Sequence, residues 1–215
     1  MDITWLGHSA LLVEAGRSRI LIDPGAYSDD WHGLTGLTHV LVTHVHPDHV
    51  DVENVPALLD ANPDASVRAD AAAAEALTKA GCDAEVLETG TEADLGGVSL
   101  RAVGGHHACI HEDFGLNSNV GLLLRADGTT LYHPGDDIST VPDGVDVLAL
   151  PIIAPWSALK DTAQFLRAVR PARWFPIHDA ILSATGRGLY VGRAGDLAPE
   201  GSELLTVERG TATTL

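Results

Sequence analysis

The apolar run Val40-Leu41-Val42 leads directly into Thr43-His44-Val45-His46-Pro47-Asp48-His49, which sets four metal-competent side chains in six positions at the end of an expected strand. Imidazole and carboxylate are the groups that borderline and hard divalent metals take as ligands. Spacing matters more than number. In an extended or tightly turned segment His44 and His46 point the same way and reach one ion. A chain that turns helical after Pro47 swings Asp48 and His49 toward a second ion beside the first. A helix cap at Asp48, entered through Pro47, would also explain the turn, but a cap needs one acceptor and not three imidazoles. The segment reads as a metal site.

Along the rest of the chain, strands alternate with helices. Residues 2–6, 10–15, 19–23 and 38–43 are expected strands, with turns at Gly7 and Gly16. A helix is expected from Asp51 through Asp60, and an Ala-rich one from Ala71 to Ala80, stopped by Gly81. Further strands are expected at 66–69, 85–88, 98–103, 119–125 and 129–133, the last two joined by an Asp127-Gly128 hairpin turn. The continuous apolar run from Val145 to Leu150 predicts a strand buried on both faces. Leu159, Ala163, Leu166 and Val169 form a helical stripe with Ser157 as the expected N-cap, and strands follow at 173–177 and 203–208. Gly186-Arg187-Gly188 lacks the third glycine of a dinucleotide fingerprint and reads as a turn. No nucleophile elbow or Walker loop occurs.

The pattern His-x-His-x-Asp-His resembles the signature of the metallo-β-lactamase superfamily, and the remaining elements of that pattern occur in order. Asp23 closes Arg19-Ile20-Leu21-Ile22; His107 lies in Gly104-Gly105-His106-His107-Ala108; Asp136 follows Leu131-Tyr132-His133-Pro134-Gly135; His178 follows Trp174-Phe175-Pro176-Ile177. The resemblance covers essentially the whole chain. It implies an α/β fold, a four-layer αββα sandwich with the metal site at one edge of its two sheets, formed by a single domain over residues 1–215 as two halves that break near residue 126. Trp5-Leu6-Gly7-His8-Ser9 and Ala10-Leu11-Leu12-Val13-Glu14 are similar to the branch that includes the ascorbate-phosphate lactonases. Asp137 departs from the Thr or Ser that relatives often carry there.

The same resemblance implies a ligand set. His44, His46 and His107 would hold one divalent ion, Asp48, His49 and His178 a second, and Asp136 would bridge them. Zinc suits these donors best, with manganese or iron open. Asp23 is expected to orient a ligating imidazole rather than to ligate. His106 and His107 alternate, so on a strand one of them faces the metal, and the family pattern selects His107. His8, His111 and Trp156 are expected at the pocket rim, as substrate contacts or supports. The implied chemistry is hydrolysis of a small ester, lactone or phosphodiester by a metal-activated hydroxide that Asp48 orients or deprotonates. A di-iron redox protein and a metal-binding module without turnover are the alternatives.

Charge narrows the partners. Thirteen basic residues against thirty acidic give a net charge of −17, and only Lys79 and Lys160 are lysines. A nucleic-acid binder needs clustered Lys and Arg to neutralise phosphates, so a small-molecule substrate is expected and no nucleic acid. Mean hydropathy is +0.10 and no apolar stretch approaches the ~20 residues of a membrane span. Met1-Asp2-Ile3-Thr4-Trp5 enters a strand without a signal-peptide core, and Cys82 and Cys109 stand alone. Together these predict a cytoplasmic protein with reduced thiols.

Overall fold

Apolar residues on both faces of most strands require cover on both sides, and the fold supplies it in four layers. The computed structural model describes residues 1–114 and 117–215. In chain order the elements are β1 (Asp2–Gly7), β2 (Ala10–Ala15), β3 (Ser18–Ile22), β4 (His39–Val42), α1 (Val55–Asp60), β5 (Ser66–Ala69), α2 (Ala71–Lys79) and β6 (Glu85–Val86), then β7 (Glu92–Asp94), β8 (Ser99–Gly104), β9 (Val120–Ala126), β10 (Thr129–His133), β11 (Val147–Pro151), α3 (Leu159–Val169), β12 (Arg173–Ile177), α4 (Ala184–Leu197), β13 (Glu203–Leu204) and β14 (Ala212–Thr214). One sheet runs β14-β1-β2-β3-β4-β5-β6 and the other β13-β12-β11-β10-β9-β8-β7.

Strand periodicity sorts the side chains into three buried clusters. Ile20 and Ile22 of β3 face the second sheet, where they meet a layer that includes Leu122, Leu124, Leu131, Ala149 and Phe175. Leu21 between them faces outward, into a cluster with Val55 and Leu58 of α1 and Ala73 and Leu77 of α2. On the far side Leu148, Leu150 and Trp174 pack with Phe165, Leu166 and Val169 of α3 and Ala194 of α4. The layers are therefore αββα. Each fully buried Leu or Ile contributes roughly 1.5–3 kcal/mol of transfer free energy.

Several elements differ from the sequence reading. Gly186-Arg187-Gly188 is not a turn but lies inside α4, which contains glycines at 186, 188, 192 and 195. Each costs about 1 kcal/mol against Ala in a helix interior. The Ser183 hydroxyl accepts from the Gly186 N–H at 3.1 Å, and Ala194 is buried in the cluster around Trp174. Tertiary packing overrides propensity here. Helix α3 starts one residue later than expected: Ala158 is its N-cap, with its N–H donated to the Asp161 carboxylate at 3.1 Å, while the Ser157 hydroxyl pairs with Thr162. The chain changes sheets between β6 and β7, and the hairpin near residue 126 joins β9 to β10 within the second sheet. After β12 the chain adds β13, then returns to the first sheet as β14, paired with β1.

Strand direction fixes where function can sit. β1, β3 and β4 run the same way in the first sheet, as do β8, β10 and β12 in the second. Their carboxyl ends share one edge of the sandwich, joined by backbone hydrogen bonds from His178 N–H to His8 O (3.1 Å) and from Val120 N–H to Thr43 O (2.9 Å). No helix among the described residues is long and apolar enough to cross a membrane.

Candidate metal centre

Each of the six strand ends delivers a polar side chain to this edge. His8 follows β1, Asp23 follows β3, and the His44–His49 segment follows β4. His107, Asp136 and His178 follow β8, β10 and β12. His8, Asp23 and His178 leave their strands at φ of 49°, 47° and 60°, the left-handed region that costs a non-glycine residue about 1 kcal/mol or more. The residue types match the geometry, since Asp and His enter that region more readily than most.

The His44–His49 loop is a tight turn rather than a helix start. His49 and Val50 N–H both donate to His46 O at 2.9 Å. The loop rests on Pro24-Gly25-Ala26: Ala26 N–H donates to Pro47 O (2.7 Å) and Asp51 N–H to Pro24 O (2.9 Å). Contact at Gly25 is so close that an added Cβ would lie 1.9 Å from the Asp48 carbonyl oxygen.

Two groups of donors result: His44, His46, His107 and Asp136 in one, and His8, Asp48, His49 and His178 in the other, the atoms of each lying within 4.8 Å of one another. Asp136 joins them. Its Oδ2 lies 3.3 Å from His107 Nε2 and 3.9 Å from His44 Nε2, while its Oδ1 lies 3.1 Å from His49 Nε2 and 3.3 Å from His178 Nε2. His44 Nε2 is 3.2 Å from His46 Nδ1, and His178 Nε2 is 3.3 Å from Asp48 Oδ2. Two donors each ~2.0–2.1 Å from one tetrahedral zinc stand about 3.3 Å apart, so the spacing fits an ion between them.

Outer partners fix the rings. Asp23 Oδ2 faces His49 Nδ1 at 2.7 Å, and both its oxygens also accept from Thr43, Oδ1 from the N–H and Oδ2 from the hydroxyl, each at 2.8 Å. Asn119 holds the Asp136 turn, accepting from Asp136 N–H (2.9 Å) and donating to Pro134 O (2.8 Å). Trp156 Nε1–H donates to Asp136 Oδ2 at 2.8 Å, and the Asn117 amide meets His46 Nε2 at 3.1 Å. His133 lies beneath, bonded to Ser9 O at 3.0 Å. Thr43, Asn117 and Asn119 were not singled out from the sequence. Thr43 adjoins the motif and could have been read, but Asn119 lies 17 residues from Asp136 with no local signal.

Electrostatics pair the anions with the imidazoles. Burial and the neighbouring His49 push the His44 pKa well down, keeping that ring neutral. At His178 burial acts the same way, but the Asp136 carboxylate outweighs it and raises the pKa to about 9. His49 is raised by Asp136 and Asp23 against its burial. Burial works against ionisation of Asp136 and Asp48, yet the surrounding histidines hold both well below the usual carboxylate range.

Four buried donor atoms of this centre lack protein partners. His49 Nε2, His107 Nε2, His178 Nε2 and Asp136 Oδ1 have no hydrogen-bond partner among the described residues. Orphaned buried polar atoms are costly, and four of them converging on one space is what a cation requires. The residues fit a metal.

His111, expected at the rim, is not brought to the cluster: it is exposed and meets Asp113 at 3.4 Å. His107 is buried and His106 exposed. Strand alternation does not separate them, because β8 ends at Gly104. His107 is turned inward by its N–H to Asn117 O (2.9 Å) and by Ala108 N–H to Asp136 O (2.8 Å). His107→Ala is expected to strip the first ion and His106→Ala to leave metal content unchanged. Metal analysis of both variants decides this, and the opposite order would exchange their roles.

The architecture and the cluster define a metal-binding αββα protein. A family model described as Beta-lactamase superfamily domain matches residues 2–178, and the chain belongs to the metallo-β-lactamase superfamily. Protein Rv0786c of Mycobacterium tuberculosis is 41% identical over 210 residues, covering 97% of this chain and 98% of its own. The UPF0173 metal-dependent hydrolase Atu1317 of Agrobacterium fabrum is 36% identical over 150 residues, 63% of each chain. Igni18, a metallo hydrolase from the archaeon Ignicoccus hospitalis, superposes with a TM-score of 0.72 at 21% identity over 99% of this chain and 97% of its own.

Proposed function

We propose that this chain is a metal-dependent hydrolase that cleaves a small ester, lactone or phosphodiester at a two-ion centre, with zinc the favoured metal. The observation that carries the reading is the division of Asp136, whose two oxygens face separate groups of imidazoles. His44, His46 and His107 would hold one ion, Asp48, His49 and His178 the other, with Asp136 between. Bound there, two divalent ions would supply Lewis acidity and acidify water toward neutral pH. The imidazole-rich donor set suits zinc, and its carboxylates also admit manganese or iron.

The chain's own groups do the orienting. Asp48 has a side chain 18% exposed against 4% for Asp136, so it is the carboxylate open to an incoming molecule. It would align the attacking water or accept its proton. The Trp156 N–H steadies Asp136 Oδ2, the oxygen that faces His44 and His107. Tyr27, half exposed, stands 5.1 Å from the His8 ring. Relatives described as metal-dependent hydrolases support hydrolysis. The net charge of −17 favours a small molecule over a polynucleotide. The free Cys82 and Cys109 fit a reducing cytoplasm.

The test is a panel of activated esters, lactones, phosphodiesters and structured RNA, run on zinc-loaded and chelator-stripped protein at low salt. Turnover of a small substrate that vanishes on stripping and returns with zinc is expected. RNA cleavage with no small-molecule turnover, or oxidation chemistry seen with iron alone, would replace this reading.

A further inference from the structure

Six histidines reach this edge; His46 turns its Nδ1 inward with Nε2 at the Asn117 amide, and the partner of the Nδ1 nitrogen sorts the other five. Every imidazole that serves as an Nε2 ligand needs its proton on Nδ1, held by an acceptor. His49 Nδ1 meets the Asp23 carboxylate at 2.7 Å, His178 Nδ1 the Ile153 carbonyl at 2.7 Å, and His107 Nδ1 the Ala108 carbonyl at 2.5 Å. His44 Nδ1 meets the Thr43 hydroxyl at 3.1 Å, whose own proton goes to Asp23. In all four the lone pair is left on Nε2, facing the centre.

His8 is arranged the other way. Its Nδ1 receives the Ala180 N–H at 3.3 Å, and a backbone N–H can only donate. The neutral ring must then carry its proton on Nε2, which lies 3.2 Å from Asp48 Oδ2. Proximity alone would count His8 as a fourth ligand of the second group. Ligation would require moving that proton to Nδ1, where it would confront the Ala180 N–H. Much of the surroundings fixes this state. The ring is 98% buried and packs against His178 at 4.1 Å, and its carbonyl accepts from Trp5 Nε1 (2.9 Å) and His178 N–H. Ala180 follows Asp179, a buried carboxylate that Arg187 of α4 binds at 2.5 Å while its guanidinium lies over the Trp5 ring.

We propose that His8 is not a metal ligand but a positioning residue, whose Nε2–H donates to Asp48 Oδ2 and keeps that carboxylate turned toward His49 and His178. The inference rests on the two-ion reading above. Its role is to limit the rotation of Asp48, the most exposed carboxylate of the centre.

The direct test needs no variant. In zinc-loaded protein with 15N-labelled histidine, His8 should show a protonated Nε2 and a bare Nδ1, while His49, His107 and His178 show the reverse with metal-bound Nε2. A metal-bound, deprotonated His8 Nε2 would overturn the proposal. Variants supply the second arm, read as zinc stoichiometry and affinity by chelator competition. Gln places an amide N–H where Nε2 stands, whereas Asn reaches only the Nδ1 position and Ala neither. His8→Ala and His8→Asn should still bind two zinc ions at saturation, with the second weakened roughly 10–100-fold, and His8→Gln should restore most of the loss. One zinc at saturation in all three variants would make His8 a ligand, and unchanged affinity in all three would remove its positioning role. The unmutated protein is titrated first: fewer than two zinc ions there would sink the two-ion reading itself, and this proposal with it.

Discussion

Asp136→Ala is expected to leave a folded protein that retains at most one zinc ion and has lost more activity than the roughly 10–100-fold that deletion of an outer partner costs. The carboxylate is the common neighbour of His44, His49, His107 and His178, at 3.9, 3.1, 3.3 and 3.3 Å. Without it no single side chain spans the two groups of donors. Zinc content by elemental analysis, alongside turnover, checks this. Two tightly held ions in the variant would mean that the groups are independent.

Gly25→Ala should be nearly as damaging, although Gly25 carries no ligand. The new methyl would sit 1.9 Å from Asp48 O, 2.1 Å from Asp48 C and 2.6 Å from His49 N. All three are backbone atoms, so no side chain can swing aside. The loop must move by more than an ångström, whereas a metal site tolerates about 0.5 Å. We expect loss of zinc affinity exceeding that of His8→Ala, with overpacking costing about 1–3 kcal/mol of stability. An unfolding curve and a zinc titration of Gly25→Ala together separate the two effects. Unmutated zinc affinity in this variant would show that the Pro24-Gly25-Ala26 segment does not set the loop.

What could be read in advance follows physical range. The His44–His49 motif is local, and strand ends such as Ile22 and Ile177 announce themselves by apolar runs that stop at Asp23 and His178. The αββα layers come from the resemblance to the metallo-β-lactamase pattern that these elements complete in order, and not from the elements themselves. Helix α4 was missed because its four glycines argue against a helix, and its stability comes from the Trp174 cluster instead. The expected break near residue 126 took a hairpin for a boundary, and nothing local marks β14 as the strand that returns to β1. His111 was placed at the rim by proximity to His107 in sequence, yet the chain between them carries it outward to Asp113. Asn119 acts through its side-chain amide on a turn far along the chain, and Ala180 through its backbone N–H, so neither role is disclosed by local sequence.

The six strand ends that meet at this edge come from two sheets, and the hydrogen bond from Ala180 to His8 spans 172 residues of chain. Contacts of such long separation close late, because loop entropy must be overcome before they form. A growing chain that has passed β9 already presents the imidazoles of the motif but possesses neither Asp136 nor His178. The complete centre is thus a property of the finished fold: its donors are gathered only where the two docked sheets meet.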